Sequence, residues 1–459
     1  MSETVEERLG RYAASARFED LSPAAVGSAK RSTLDTVGAI LAGSSAAGTS
    51  TVLDMATSWG GKPEARALAF GSRLPGPLAA WCNGTMARAL EIDDCVDFLP
   101  VHPSASAVPA LLTISELLGG LSGREFITAL AVGQDVKIRM GLAVRKNAMQ
   151  SGRNNMFKIF GPTAAIARAM RFKPEQAQNA LGLSFSFAVG DGQCALDGAL
   201  SLRLQQGIVA QGALLSGLLT AGGFTGARDF LMGRFGYLVA FEPDPRLEYL
   251  EDDLGSYFYG DQITIKPFSA CRATHASIEL ALGLRGGIDP ASIRRVIVHV
   301  SPAIHQLVAQ SWEKSFPETA PAAQFSIQFT VAAALLHGDL FLKQLAPAAL
   351  KDPRVTALGR RVAVLPDPAL VADNVLGKTQ MEIELANGKA VSAEIGIPLG
   401  NPAHPMDYAV CVEKFRKCVD YAAVPLAGSN IDRVIEMVND LEHVNDVSDI
   451  IPLLCQGEK

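Results

Sequence analysis

The apolar residues of this chain change their period near Lys266 and change back after Pro405, and that switch limits what the chain can fold into. Up to about residue 265 the chain reads mostly as helix. Ser22-Pro23 is a start signal, with serine at the N-cap and proline at the first helical position. The apolar run from Leu34 to Gly43 carries that helix to a glycine stop. Further helices are expected over Pro75–Ala89, Ala105–Leu118, Arg124–Leu142, Pro162–Met170, Pro174–Leu183 and Ser201–Ala221. Small residues recur in all of them and allow helix axes to approach closely.

Beyond Lys266 the signals are those of strands. Arg294–Val300 and Arg361–Leu365 are rich in β-branched residues. Thr379–Leu385 and Lys389–Ile395 flank Asn387-Gly388, the strongest short hairpin signal. Helical patterns at His275–Leu284 and Ser326–Leu336 lie among them. Segment 266–398 therefore reads as a small α+β domain with an antiparallel sheet. Tyr408–Ala422 and Ser429–Leu441 return to helix. The expected fold is mainly α: a large all-helical domain made of residues 1–265 and 399–459, interrupted by a smaller α+β domain, 266–398.

Composition narrows the function. Hydrophobic residues make up 48% of the 459 and aromatics 7%, so the core is built of Ala, Leu, Val and Ile. The net charge is −6 with no long basic run, which argues against a nucleic-acid partner. No uncharged apolar run has the look of a membrane span. The closest, Gly207 to Gly223, carries Gln211, Ser216 and Thr220 and reads as a buried helix. The first residues are charged and lack the apolar core of a secretory signal. The seven cysteines are scattered, with no CxxC pair. A reducing, cytoplasmic setting is expected, with no zinc or iron–sulfur site.

Three stretches carry chemistry-bearing residues. In the first, Glu91, Asp93, Asp94, Asp97 and His102 place four carboxylates and a histidine within twelve residues, just before an apolar helix pattern. Carboxylates beside a histidine hold the imidazole and tune its pKa for acid–base work. Pro100 and Pro103 stiffen the backbone around His102, and Ser104 is a plausible N-cap. The same residues also suit a solvated loop with an incidental histidine, and their spacing matches no metal-ligand motif. The second stretch, Lys266 to His275, holds Lys266, Cys271, Arg272 and His275 and suits carboxylate binding. Thr274 is alternatively a cap for the next helix. The third holds Asn155 and Lys158 before a small-residue helix whose N-terminus suits an anion, or is a plain connection.

Together these stretches resemble the MmgE/PrpD family, which includes 2-methylcitrate dehydratase, cis-aconitate decarboxylase and iminodisuccinate epimerase. The resemblance rests on Leu34-Asp35-Thr36-Val37-Gly38, Glu91-Ile92-Asp93-Asp94, Val101-His102-Pro103 and Gly222-Gly223-Phe224-Thr225-Gly226. It extends to Lys266-Pro267-Phe268-Ser269-Ala270-Cys271, Ala323 to Phe329, and Val412-Glu413-Lys414-Phe415. It implies a helical domain with an α+β lid, a homodimer, no metal or organic cofactor, and a small polycarboxylate substrate. The activity it implies is a lyase reaction of the 2-methylcitrate dehydratase type, with decarboxylation or epimerisation as alternatives. On that reading His102, Asp93, Asp94 and Lys266 are catalytic. Arg272, His275, Glu91, Asn155, Lys158, Ser104 and Cys271 bind substrate. The chain departs from the family pattern at Glu91, often Asp, and at Cys95, often Thr. It also has Leu202 and Gln205 in place of a common Lys and His, and Phe329 in place of a common Tyr. These losses of polar groups also suit a carboxylate-binding protein that has lost catalysis.

Overall fold

The computed structural model describes residues 3–151, 156–309, 316–371 and 376–456. The chain forms two compact units. Unit 1 comprises Met1–Ala89, Asp93–Ile263 and Asp407–Lys459; unit 2 comprises Leu90–Ile92 and Thr264–Met406.

Unit 1 is helical. Its main helices are α1 (Val5–Ser15), α2 (Pro23–Gly43), α3 (Thr49–Trp59), α4 (Gly76–Ala87), α5 (Ser104–Leu118), α6 (Gly123–Ser151), α7 (Phe160–Ala169), α8 (Pro174–Ser184) and α9 (Ser201–Ala221). Ser22 caps α2 as its sequence suggests, its Oγ accepting from Ala25 N at 3.1 Å. Small residues set the spacing of α4 and α9. A Cβ at Gly207 would lie 2.5 Å from Trp81 O, and one at Gly84 would lie 2.9 Å from Gln206 O. The two backbones therefore approach as closely as glycine allows, and Gln206 is held in the interior.

Three local readings change. The first helix turn after His102 begins at Ser104, with Pro103 at the N-cap and no capping side chain. The Ser104 hydroxyl is engaged elsewhere, as described below. Helix α6 continues well past Leu142, through Ala143 to Ser151. Ala, Arg, Lys, Met and Gln dominate that extension, and such residues propagate a helix without an apolar stripe. A two-stranded antiparallel ribbon, β1 (Ala65–Arg66) and β2 (Arg73–Leu74), interrupts the helices. Strands of two residues are too short to show a period.

Unit 2 holds helices α10 (His275–Leu284) and α11 (Ile327–His337) and strands β3 (Ile293–Val300), β4 (Val362–Pro366), β5 (Thr379–Leu385) and β6 (Ala390–Ile395). The sheet order is β4-β3-β5-β6. The β5–β6 hairpin turns at Asn387-Gly388, with Gly388 at φ +82°. The sheet is mixed rather than antiparallel: β3 and β4 run parallel, with Val296 opposite Val362 and Val298 opposite Val364. Parallel neighbours need a long crossover, and the segment containing α11 supplies one. Hairpin signals in the sequence mark only the antiparallel pairs. Alternate residues of β3, including Val296, Val298 and Val300, join Phe329, Val331, Met381 and Ile383 in the core of this unit.

The chain returns to unit 1 with α12 (Tyr408–Val419) and α13 (Gly428–Asn439). Helix α12 packs on α2. Among the described residues no helix is long and apolar enough to cross a membrane.

Candidate active site

The loop from Asp93 to Pro103, which leads into α5, carries the polar centre of unit 1. Asp93 is fully buried. Its Oδ1 lies 3.3 Å from Nη1 of Arg88, at the C-cap of α4, and its Oδ2 lies 2.9 Å from Nδ1 of His102. The Asp94 carbonyl oxygen is 2.8 Å from the same Nδ1. Two oxygens around Nδ1 assign the proton to that nitrogen in the neutral ring, so Nε2 is the basic one. His102 keeps 14% of its side chain exposed while Asp93 keeps none, so the imidazole is the solvent-facing member of the pair.

Asp94 orients His102 through its backbone, not its carboxylate. The carboxylate turns to α5, where Oδ1 accepts from Ser104 N at 3.1 Å and Oδ2 accepts from Ser104 Oγ. Burial pushes the Asp94 carboxyl up to about 7. The Ser104 hydrogen bonds oppose that rise, and the nearby Asp35 and Asp93 charges add to it. Asp35 is itself held in a buried ion pair with Lys414 of α12, 2.5 Å away.

Helix α6 closes the network. Gln134 Nε2 donates to Ser104 Oγ at 2.8 Å. Lys137 Nζ donates to Ser106 Oγ at 2.8 Å and to Gln206 Oε1 of α9 at 3.3 Å. Lys137 is fully buried, and burial lowers its pKa to about 7 against the pull of Asp94 and Asp93. Lys158, in a short turn before α7, is also buried. Burial drives its pKa well below the usual lysine value, and the Lys137 and Arg88 charges push the same way.

Unit 2 has its own polar centre. Lys266 Nζ lies 3.0 Å from Glu91 Oε2 and donates to Glu91 O at 3.3 Å. Only 1% of the Lys266 side chain is exposed. Glu91 takes a left-handed backbone conformation, φ +55°. Ser269 Oγ and Gln324 Nε2 both donate to Leu90 O at 2.8 Å, which holds the segment Leu90–Ile92 in this unit. Arg272 donates to the carbonyls of Leu399 at 2.7 Å and Pro398 at 3.1 Å. His275 Nδ1 is 3.3 Å from Arg272 Nη1 and its Nε2 is 3.2 Å from Ala270 O. Cys271 is partly buried, and its backbone N–H donates to Gln324 O at 2.8 Å.

The carboxylate run read as one cluster is thus divided: Asp93 and Asp94 belong to unit 1 and Glu91 to unit 2. Asp93, Asp94, His102 and Ser104 share the unit 1 network, Lys158 is buried within reach of the Lys137, Arg88 and Asp93 charges, and Glu91, Lys266, Cys271, Arg272 and His275 lie in unit 2. The cationic strip around Lys266 has internal partners, a carboxylate for Lys266 and two carbonyls for Arg272. Thr274 stands at the N-cap of α10, but its hydroxyl donates back to Cys271 O and caps nothing. Asn155 lies outside the described residues.

Family comparison decides what this arrangement belongs to. Residues 7–250 match the MmgE/PrpD N-terminal domain and residues 268–440 match the MmgE/PrpD C-terminal domain. The chain belongs to the MmgE/PrpD family. Among its curated relatives is the cis-aconitate decarboxylase of Aspergillus terreus, 26% identical over 85% of this chain and 83% of the relative. A cis-aconitate decarboxylase of A. terreus strain NIH 2624 is 28% identical over 85% of this chain and 82% of the relative. A cis-aconitate decarboxylase-like protein, oryM, of A. oryzae is 25% identical over 83% of each. Family and relatives together give the class of this MmgE/PrpD protein, a lyase.

At two of the departures from the family pattern, Gln205 and Phe329, and at the neighbouring Arg203, the structure shows a local role. Gln205 donates to Asp191 O and Oδ2, both at 3.1 Å. Arg203 donates to Ala47 O at 2.8 Å, so its guanidinium serves a backbone contact. Phe329 is fully buried in the unit 2 core. Arg88, Gln134, Lys137 and Gln206 escaped the sequence reading. The available signal was in α6, where Gln134 and Lys137 stand at i and i+3 among the buried Ala131, Val132, Val136 and Ile138. Polar groups on one face of an otherwise apolar helix need partners, and here they find them across the network.

Proposed function

We propose that this lyase dehydrates a small hydroxylated di- or tricarboxylate, with the unit 1 network as its proton-transfer centre. One observation carries the reading: a carboxylate-held imidazole and a carboxyl pushed to about 7 are joined in one buried network. Dehydration needs both a base and an acid near neutrality. His102 Nε2 takes the proton from the carbon α to a carboxylate, with Asp93 stabilising the imidazolium that forms. The C–O bond of the neighbouring hydroxyl breaks as the carbon–carbon double bond forms. Asp94, with Ser104 beside it, supplies the proton that lets the hydroxyl leave as water.

Negative charge builds on the substrate carboxylate during proton removal, and cations must meet it. Arg88, Lys137 and Lys158 are assigned that role. Burial disfavours the charged form of both lysines, so an arriving carboxylate restores charge to them and binding draws in protons. On the strength of the family resemblance Lys266 is kept as a catalytic candidate, and Arg272, His275, Glu91, Cys271 and Asn155 are assigned to substrate binding.

A second reading, decarboxylation, draws support from the names of the relatives. It needs a proton donor for a carbanion-like carbon and the same cations, but no leaving hydroxyl. Proton NMR of the purified protein with 2-methylcitrate, citrate and cis-aconitate, with carbon dioxide trapped in parallel, separates the two. Unsaturated product without carbon dioxide supports the dehydratase, and carbon dioxide from cis-aconitate supports the decarboxylase. Binding of all three with turnover of none defeats the enzyme reading. We also propose a cytoplasmic homodimer, for which light scattering should give twice the chain mass.

A further inference from the structure

The same five-residue pattern lies near the start of β3, Arg294-Arg295-Val296-Ile297-Val298, and leads into β4, Arg360-Arg361-Val362-Ala363-Val364. The parallel register pairs them in step, Val296 opposite Val362 and Val298 opposite Val364. Val296 N donates to Arg361 O at 3.0 Å, so the ladder already holds at the arginines. Two Arg-Arg pairs are thereby set side by side at one end of the sheet. All four side chains are exposed and line a single open cavity of about 510 Å³ with Val362, Ala363 and Glu384.

Like charges on neighbouring strands destabilise a sheet, and an acid near each arginine would normally offset that. Here four arginines meet one glutamate, a local charge of +3 in a chain whose net charge is −6. Glu384 is matched to Arg294 at 2.6 Å, and Arg361 donates to Ile293 O at 2.7 Å. The side chains of Arg295 and Arg360 make no hydrogen bond or ion pair among the described residues, although Glu384 is the cross-strand neighbour of Arg295. The cavity thus offers two unmatched guanidinium forks beside two that are already anchored.

We propose that this cavity binds a small oxyanion carrying two or more negative charges, and that it is a site separate from the unit 1 proton-transfer centre. Guanidinium forks match the paired oxygens of carboxylate and phosphate groups, and two adjacent forks favour a ligand with two such groups. The size of the cavity suits a small molecule. Polycarboxylates and phosphate compounds share that chemistry. The proposal stands whether or not the proton-transfer assignment above is right.

The test is calorimetric titration of the full chain with pyrophosphate and, separately, citrate, at ionic strength held constant with sodium chloride. Wild-type protein should show saturable binding of at least one of them, and comparison of the two arms identifies the phosphate or carboxylate source. Arg295→Gln with Arg360→Gln should weaken that binding at least tenfold with the melting temperature nearly unchanged. His102→Gln should leave pyrophosphate binding intact. If the double variant does not fold, Arg360→Gln alone should still weaken binding several-fold. Equal affinity in wild type and variant overturns the proposal, as does heat that never saturates.

Discussion

Each unit buries a lysine close to carboxylate charge, yet the two lysines are treated differently. In unit 2, Lys266 and Glu91 neutralise each other at 3.0 Å, with Glu91 O as a second acceptor. In unit 1, Lys137 is met by a serine hydroxyl and a glutamine amide, while the nearby Asp94 is bonded to Ser104. Among the described residues no carboxylate forms an ion pair with it, and burial brings it and Asp94 both to about 7. Removing one member of a matched buried pair strands the other charge, whereas groups that burial brings close to neutrality are candidates for proton transfer. That contrast is the reason we propose unit 1 as the proton-transfer centre.

The contrast is broken most directly at Lys266. Lys266→Met leaves Glu91 buried without its cation, and loss of one partner of a buried pair costs about 3–5 kcal/mol. Urea unfolding should show that loss, and adding Glu91→Gln should recover most of it. A Lys266→Met protein of wild-type stability would show that the pair is not the structural element described. His102→Gln should do the reverse. Turnover should fall by about 10²-fold or more, the scale of an acid–base group, with the unfolding midpoint little changed. A variant that turns over normally would remove His102 from the chemistry.

The smallest effect is in pH. Asp94 and Lys137 both pass from protonated to deprotonated as pH rises through about 7. The proposed acid is therefore lost on the alkaline side, and kcat/KM should decline above that point. A rate that is flat from pH 6 to 9 would show that neither group acts as a proton donor.

Much of the fold was legible in residue pattern. Ser201–Ala221, His275–Leu284 and Thr379–Leu385 have the expected bounds, because periodicity, caps and turn residues are local properties. The parallel pairing of β3 with β4 was not legible, since no turn joins them and their partnership is made through space. His102, Asp93 and Asp94 stood out because they are neighbours in sequence. Arg88, Lys137 and Gln206 did not, because they are far apart in sequence, at α4's C-cap and on α6 and α9, and only the fold brings such residues together.

By itself the sequence determined the helical and strand segments, the family, and the histidine with its two aspartates. Tertiary structure decided which charges neutralise one another. Ion pairing depends on distances of a few ångströms between elements far apart in the chain, and the cost of an unmatched charge depends on burial. Only the folded chain shows that Lys266 is matched by Glu91, that Asp94 turns to Ser104, and that Lys137, bonded to Ser106 and Gln206, is held by burial at the edge of its charged state.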